Sequence, residues 1–547
     1  MLFVPKRTFT TTRFLTGAVL LLSAIAFYYF SVLDVDYNKT GLLDLGWSDP
    51  SYYFAQAKAI MRDGYPYLNF GYQKLPSNYP PGYPALTLPW LKVLPDADSI
   101  LAPFRTNQTI GLLLLLATFA FYSYLQMPLT GGFATLLLAT MPGFFTFCRS
   151  SLSDISASAL IALAFMFAYL GLKEARRWKI YVSAIFLGLS LNVRVQSLFF
   201  APLLLAMALF PSEGRRPRWF LHCFAVVTVF ALASSPSLVL NTIQFHSPFK
   251  TGYDFWFGSP VRSVFSPRYI PNNAFMLWTE STLHPKLFSA VRYFSTGTSI
   301  IPSFVLLVCV GMFFIRLNRF VICAFLAGLS FFTLTSMIPW AVVWYYLPLL
   351  VVLVAVAVLP VTWAAKNLFV ARRGIASLAI FVLFAAACVG YPSRSLSNTP
   401  KSVAPGTQTD WNRLQTWDAL HFPTPPSPSP WLTAQRHFLE MFGPQPGIVL
   451  ADINPLFLNA LLPDSFLAAH IDGERYVRFR NVVTYDRAQA LALVKRALGE
   501  SRPVYALFVS PKEMEEKAVR LPQVDGYAWV VAENLPAEAV VLKLSPK

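Results

Sequence analysis

Charge is scarce in this chain. Of its 547 residues only 13% are Asp, Glu, Lys or Arg, whereas 55% are hydrophobic and 16% aromatic. A soluble globular domain is about a quarter charged, so the composition excludes an ordinary soluble protein and points to many membrane spans. Acids are scarcer than bases, 27 against 44, giving a formal net charge of +17. That excess does not mark a nucleic-acid partner. The bases fall in short clusters between bilayer-length apolar runs, as a positive-inside bias predicts, and such interruption leaves no basic groove for phosphodiesters. Cysteine is equally sparse. Cys148, Cys223, Cys309, Cys323 and Cys388 lie in or beside apolar runs, without metal-ligand or disulfide-framework spacing, and read as small buried hydrophobes. Internal repeats, an ATP-binding motif, a Gly-rich phosphate loop and a nucleophile elbow are all missing. Energy for any synthesis or transport then comes from outside the chain.

What the chain does have is apolar runs of membrane length. The first, Phe14–Leu33, follows Lys6, Arg7 and Arg13. It is near the roughly 20 residues that cross a bilayer, longer than a signal-peptide core, and lacks a small-residue cleavage site; it reads as a retained span with its N-terminus inside. Further spans are expected near Thr109–Leu125, Gly132–Phe147, Ile155–Leu172, Ile180–Leu191, Ser197–Phe210, Phe220–Leu240, Ser299–Ile315, Phe320–Met337, Ala341–Val361 and Ile375–Tyr391. The pair Ile180–Leu191 and Ser197–Phe210 is short and reads either as a hairpin or as one broken helix. This makes about eleven helices by the span-length criterion. With the N-terminus inside, alternation places 15 Lys and Arg in the inner segments, against Arg149 and Arg194 alone in the short outer loops. One missed helix scrambles that bias.

Three larger pieces then fall outside: the opening loop 34–107, a second loop 244–298, and everything after Tyr391. Within that last piece, 392–430 is a polar, Pro-rich linker ending in PTPPSPSP. In 431–547 the segments GIVLADI, FLAAHI, VYALFVS and YAWVVAE read as strands, with NPLFLNALL, RAQALALVKRALGE and EMEEKAVRL as helices between them. Alternating strands and helices predict a small α/β domain, to which we assign a support or acceptor-recognition role. The expected fold is thus an α-helical polytopic membrane module over 1–391 with a C-terminal extracytoplasmic α/β domain.

The opening loop carries the candidate chemistry. From Asp44 to Leu88 it holds ten aromatic residues, and a loop this long in a compact protein is functional or disordered; its helical middle argues for function, as one wall of an outward-facing site. Asp49 heads SYYFAQAKAIMRDG. It is read either as a helix N-cap or as a general base taking a proton from an attacking hydroxyl, with Asp44 as the fallback. Asp154, in CRSSLSDIS, is likewise either a cap or an acid at the membrane boundary beside Arg149, where charge is costly and tends to be functional. There it would bind a sugar hydroxyl or orient the loop bearing Asp49. Arg194, in NVRVQ, either snorkels to the interface or clamps phosphate with its donor fork. Arg262, Arg268 and His284 of the second loop, with Lys286 and Arg292, are further candidates beside the ordinary reading as solvated charges. Tyr52, Tyr53, Tyr65, Tyr67, Tyr72, Tyr79, Tyr83, Trp256, Trp278 and Trp344-Tyr345-Tyr346 are either interfacial belts or a surface for stacking sugars.

These residues resemble the integral-membrane glycosyltransferases of the GT-C fold that use polyprenyl-phosphate sugars, the protein O-mannosyltransferases and the aminoarabinose transferases of lipid A in particular. The resemblance is carried by WSDPSYYFAQAKAIMRDG with Asp49 at the acid of the first outer loop, and by the Pro-rich NYPPGYPAL at Asn78–Leu86. LSDIS with Asp154, LNVRVQSLFFAP with Arg194 and WYYLP at Trp344–Pro348 complete it. The sequence departs at Pro50, where many relatives carry a second acid, and at Asn78 and Tyr79, where aminoarabinose transferases carry a lysine; Lys74 stands off that register.

The resemblance implies an inverting transfer of sugar from a polyprenyl-phosphate donor to a hydroxyl of a lipid, glycan or protein acceptor at the outer face of a membrane, taken as the bacterial inner membrane. Asp49 is the implied base. Arg194, with Lys74 or an arginine of the second loop, would stabilise the departing phosphate, with Asp154, Arg149 and Tyr52, Tyr53 and Tyr79 among the substrate-binding residues. No cofactor is implied, and a divalent metal is not required because lipid phosphate is already a fair leaving group. The competing readings are a metal-dependent oligosaccharyl or glycan-lipid transferase, a transporter of lipid-linked sugar, and a scaffold whose outer domain binds a partner.

Overall fold

The computed structural model describes residues 11–34, 49–69, 74–208, 216–257, 265–271, 273–274, 302–338, 343–368, 373–389, 430–442, 446–452, 458–459, 462, 465–477, 482–534 and 539–547. The chain divides into two compact units. The first gathers Met1–Val35, Asn107–Leu238 and Arg262–Phe422; the second gathers Asp36–Thr106, Val239–Val261 and Pro423–Lys547.

The first unit is helical. Among the described residues six helices are long and apolar enough to cross a bilayer: Thr11–Leu33, Asp98–Tyr124, Asp154–Glu174, Trp219–Phe245, Arg319–Ser336 and Leu347–Asn367, with Pro128–Thr140 and Gly374–Cys388 shorter. Proline shortens several of the expected spans. The run Gly132–Phe147 divides at Met141, which is extended (ψ 120°), between the helices Pro128–Thr140 and Pro142–Cys148, because the residue before a proline is driven out of the helical region. The run Ser197–Phe210 becomes a 3-10 turn, Val195–Phe200, and the short helix Leu203–Ala208. The preceding helix, Arg177–Val193, stops at Arg194, whose backbone is extended (φ −154°, ψ 122°). The described helices and the apolar faces below make the chain an integral membrane protein.

Packing uses small residues. A Cβ on Gly17 would lie 2.4 Å from the Pro128 carbonyl oxygen, and one on Gly132 would lie 2.7 Å from that of Gly17. The helices Thr11–Tyr28 and Pro128–Thr140 therefore touch backbone to backbone, as membrane helices do where lipid supplies no hydrophobic drive. Asp154–Glu174 and Arg177–Val193 form a hairpin turned at Ala175, a left-handed residue (φ 54°) whose N–H bonds back to Gly171. Their core includes Ile161, Phe165 and Leu187, with Phe200 stacked on Phe331 at 4.3 Å. The faces not packed here are apolar: Phe220, Leu221 and Phe224 are each at least 70% exposed, as a helix bathed in lipid requires.

The second unit combines the opening loop with the C-terminal domain. Strands β1 (Leu68–Asn69) and β2 (Lys74–Leu75) pair antiparallel after the helix Asp49–Asp63. The C-terminal sheet runs β4 (Phe466–His470), β3 (Gly447–Ala451), β7 (Val504–Phe508), β9 (Val540–Pro546), β8 (Tyr527–Asn534), and a separate hairpin joins β5 (Glu474–Val477) to β6 (Val482–Tyr485). The first three strands of the sheet are parallel, and β9 and β8 are antiparallel additions. One face carries Ile448, Leu450, Val504 and Ala506 against Leu493, Val494 and Ala497 of the helix Arg487–Gly499. The other carries Phe466 and Tyr505 against Phe438 of the helix Pro430–Phe442. Both faces are covered, so the parallel strands read as continuous apolar runs. The four expected strands are present. NPLFLNALL lies mostly outside the described residues, and β9, with the hairpin β5–β6, was not foreseen.

Candidate functional site

The hairpin brings the start of Asp154–Glu174 beside the end of Arg177–Val193, and this makes the first site. Asp154 sits in the first helical turn, where the helix dipole favours an anion. Ser153, not Asp154, holds the cap position, and its side chain makes no cap bond. An Asp154 oxygen instead meets Arg194 Nη1 at 2.7 Å, with the two side chains 1% and 12% exposed. Arg194 Nη1 also donates to Ser153 Oγ at 3.4 Å. Its guanidinium carbon lies 4.7 Å from the Tyr345 ring centroid, a cation–π contact strengthened by desolvation. Arg149 is fully buried and packs over Phe145 at 5.2 Å.

The loop carrying these groups is pinned from behind. Buried Asn107 donates through Nδ2 to the carbonyls of Ser150 (2.8 Å) and Leu152 (2.7 Å) and accepts from Ser156 Oγ at 3.3 Å. Tyr28 donates to the Gln108 carbonyl at 2.7 Å, and Gln108 Nε2 donates to the Val32 carbonyl at 2.7 Å. The ends of three helices are thus locked around a buried acid, the buried Arg149 and the half-buried Arg194. A fixed, water-poor guanidinium is suited to oxyanions.

The second unit holds the opening loop. Asp49 is the first residue of the helix Asp49–Asp63; its side chain lies outside what is described, as do Asp44, Arg262 and His284 entirely. Tyr53 packs on Tyr79 (4.7 Å) and Tyr83 (4.9 Å), and Tyr79 also meets Tyr52 (6.0 Å) and Tyr253 (5.8 Å). The tyrosines expected to meet sugar therefore form a wall among themselves, with Tyr53 and Tyr83 buried in it. The Pro-rich segment is held against it. Ser77 Oγ accepts from Gln56 Nε2 at 2.6 Å and from the Tyr79 N–H at 3.0 Å, and a Cβ on Gly252 would come within 1.9 Å of the Ser77 carbonyl oxygen.

Lys74 lies 3.3 Å from Asp63 and 4.4 Å above the Tyr67 ring. Tyr67 donates to Asp63, Arg62 donates to Tyr67, and Arg62 Nε bonds the other Asp63 oxygen at 3.2 Å. The Tyr67 phenol first, then Arg62 and Lys74, outweigh desolvation and hold Asp63 down to about 2. Lys74 is raised above its ordinary value, chiefly by Tyr67. Arg268 is exposed and engages its own neighbour Tyr269, with its guanidinium carbon 4.6 Å from that ring.

A third cluster ends the parallel strands of the C-terminal domain, where open α/β sheets bind ligands. Asp452 follows β3, His470 ends β4 and Asp472 follows it. The three offer one ligand atom each, all within 4.8 Å of one another. Cations also sit there: Lys517 Nζ is 2.5 Å from Asp452, Arg520 reaches Asp452 (3.3 Å) and Asp472, and Arg487 is 3.2 Å from Asp472. His470 Nε2 lies 2.9 Å from Asp452, and burial pulls its pKa down against the pull of that carboxylate. The acids and histidine are of the type that bind a divalent ion, while Lys517 and Arg520 balance the same carboxylates. Sequence reading missed this cluster and Asp63; the one available signal was polar residues directly after apolar strands, in VLADI and AAHID.

No family model matches the chain, and no curated protein matches it. The fold is nevertheless shared with solved structures of the GT-C fold. In particular the chain is similar to the ArnT of Cupriavidus metallidurans in the apo state, with 13% identity and a TM-score of 0.56 over 96% of this chain and 97% of that one. The same ArnT bound to undecaprenyl phosphate gives 14% and 0.55 over 96% and 97%. The apo oligosaccharyltransferase of Archaeoglobus fulgidus gives 13% and 0.51 over 92% and 70%.

Proposed function

We propose that the chain is a glycosyltransferase that moves a sugar from a polyprenyl-phosphate donor to a hydroxyl acceptor. The observation carrying this reading is the pairing of buried Asp154 with Arg194 at 2.7 Å, set on a fold whose relative ArnT is solved with undecaprenyl phosphate. An arginine held rigid by a buried acid and an aromatic ring is suited to stabilise charge developing on a phosphate leaving group. Asp49, at the head of its helix, is the base that takes the acceptor's proton as the sugar–phosphate bond breaks. Attack opposite the phosphate inverts the anomeric centre. We assign 1–391 to the catalytic membrane module, 392–430 to a linker and 431–547 to a domain on the extracytoplasmic side of a bacterial inner membrane, with the N-terminus cytoplasmic.

The test is turnover of polyprenyl-phosphate sugars by purified protein in lipid nanodiscs, with a cell-envelope lipid and glycan extract as acceptor. Transfer by the wild type that is lost in Asp49→Asn, with donor binding kept, supports the reading. No donor consumption across several donors, with and without manganese, turns it toward transport or scaffolding.

A further inference from the structure

The second unit holds a pocket of about 410 Å³ lined by Asp63, Tyr65, Tyr67, Lys74, Leu75, Pro76 and Gln244. That volume falls within the roughly 300–1,000 Å³ of small-molecule sites, and every lining residue belongs to the second unit. We infer that this pocket binds a sugar ring through its free hydroxyls, an inference that rests on the glycosyltransferase reading above.

The lining chemistry selects the ligand. Among the described residues, Asp63 Oδ1 accepts one bond, from Arg62 Nε at 3.2 Å, and a carboxylate oxygen accommodates two. Lys74 Nζ gives one donor to Asp63 at 3.3 Å and also engages Tyr67, which leaves one of the three donors an ammonium carries. Gln244 Nε2 donates to the Pro66 carbonyl at 3.2 Å, which leaves a second N–H and the amide oxygen for a ligand. The pocket thus offers donors and acceptors interleaved, which a hydroxyl satisfies because it is both. An ionised phosphodiester is only an acceptor and would face the carboxylate of Asp63. A bare cation would face Lys74 and Arg62. Tyr65, Leu75 and Pro76 add apolar area, and a phenol combines an apolar body with a polar tip, matching the alternation of C–H and O–H around a sugar. The polar lining is also set in advance, because Tyr67, 4% exposed, binds both Asp63 and Arg62 and lies under Lys74.

The ring could belong to the donor head group or to the acceptor, and kinetics separates these sources. The full chain in nanodiscs is examined by saturation-transfer difference NMR with methyl glycosides of glucose, galactose and mannose. Saturation of at least one glycoside by the wild type is expected. At least a fivefold loss is expected in Asp63→Asn and in Gln244→Ala, with the unfolding midpoint of Gln244→Ala close to wild type. In the turnover assay the same variants raise KM several-fold with kcat kept: KM for acceptor if the pocket holds the acceptor, KM for donor if it holds the head group. Absence of saturation with all three glycosides, or equal saturation in both variants, overturns the inference. Glycoside saturation without any sugar transfer would retain the pocket and remove the glycosyltransferase reading. Transfer with unchanged KM values in the variants and no saturation would remove the pocket alone.

Discussion

Asp154 and Arg194 meet at 2.7 Å although one opens a helix and the other follows the next one. The antiparallel hairpin alone brings them together, and their partnership is nearly dry. Arg194→Ala therefore leaves a buried carboxylate without its counter-charge, which costs about 3–5 kcal/mol. The double change Asp154→Asn with Arg194→Gln is expected to recover most of that in stability but not in sugar transfer. Thermal unfolding in nanodiscs, read beside turnover, separates the two effects.

Asn107 acts on the same loop from outside the charged pair. Asn107→Ala removes both donors to the Ser150 and Leu152 carbonyls and leaves buried acceptors unmade, at about 1–3 kcal/mol each. A lowered unfolding midpoint with a larger fall in kcat than rise in KM is the expected outcome. Steady-state kinetics over a range of donor concentration would register it.

Asp63 gives a pH dependence whose sign is fixed. Its folded value, about 2, is below the ordinary 3.8, so its stabilising contribution is complete above 3.8 and fades as pH falls through 2. Tyr67→Phe deletes the largest cause and is expected to move that fading upward toward 3.8. Acid unfolding curves of wild type and variant are the comparison to make.

His470 works at a milder pH. Its folded value is depressed from 6.5 by burial, so the unfolded chain takes up the proton first and stability declines as pH drops below 6.5. His470→Gln is expected to flatten the decline below pH 6.5. Hydrogen exchange of the β3 and β4 amides is the readout.

Arg520 bears on metal binding at the third cluster. It contacts Asp452 and Asp472, so Arg520→Ala removes a positive charge from beside two candidate ligands. Manganese affinity is expected to rise at least tenfold, about 1.4 kcal/mol, which is modest beside the several kcal/mol that one charge at 4 Å commands at an effective dielectric of 20. Calorimetric titration of wild type and variant measures the difference.

Much of this architecture was legible because apolar run length and strand alternation are local properties. The helices, the helix end at Arg194 and the strands GIVLADI, FLAAHI, VYALFVS and YAWVVAE follow from neighbours in sequence. Span lengths were overestimated where Pro142 and Pro202 interrupt the runs, since hydropathy ignores the missing N–H of proline. β9 escaped because Lys543, Ser545 and Pro546 dilute VVLKLSP, although it pairs on both sides. Asp154 and Arg194 were visible as candidates because charges at apolar boundaries stand out. The Asp63–Tyr67–Lys74 contacts and the Asp452–His470–Asp472 cluster were not, because they join separate strands and helices and leave no spacing signature.

The sheet order has a consequence for synthesis. β9 comes after β8 in the chain yet lies inside the sheet, between β7 and β8. While a ribosome is still making residues 540–546, β7 has an unfilled edge and β8 has nothing in the sheet to pair with. An open strand edge is a template for unwanted pairing. The domain thus passes through an interval in which its two halves await a keystone, and a premature stop a few codons before β9 would remove the join rather than trim a margin.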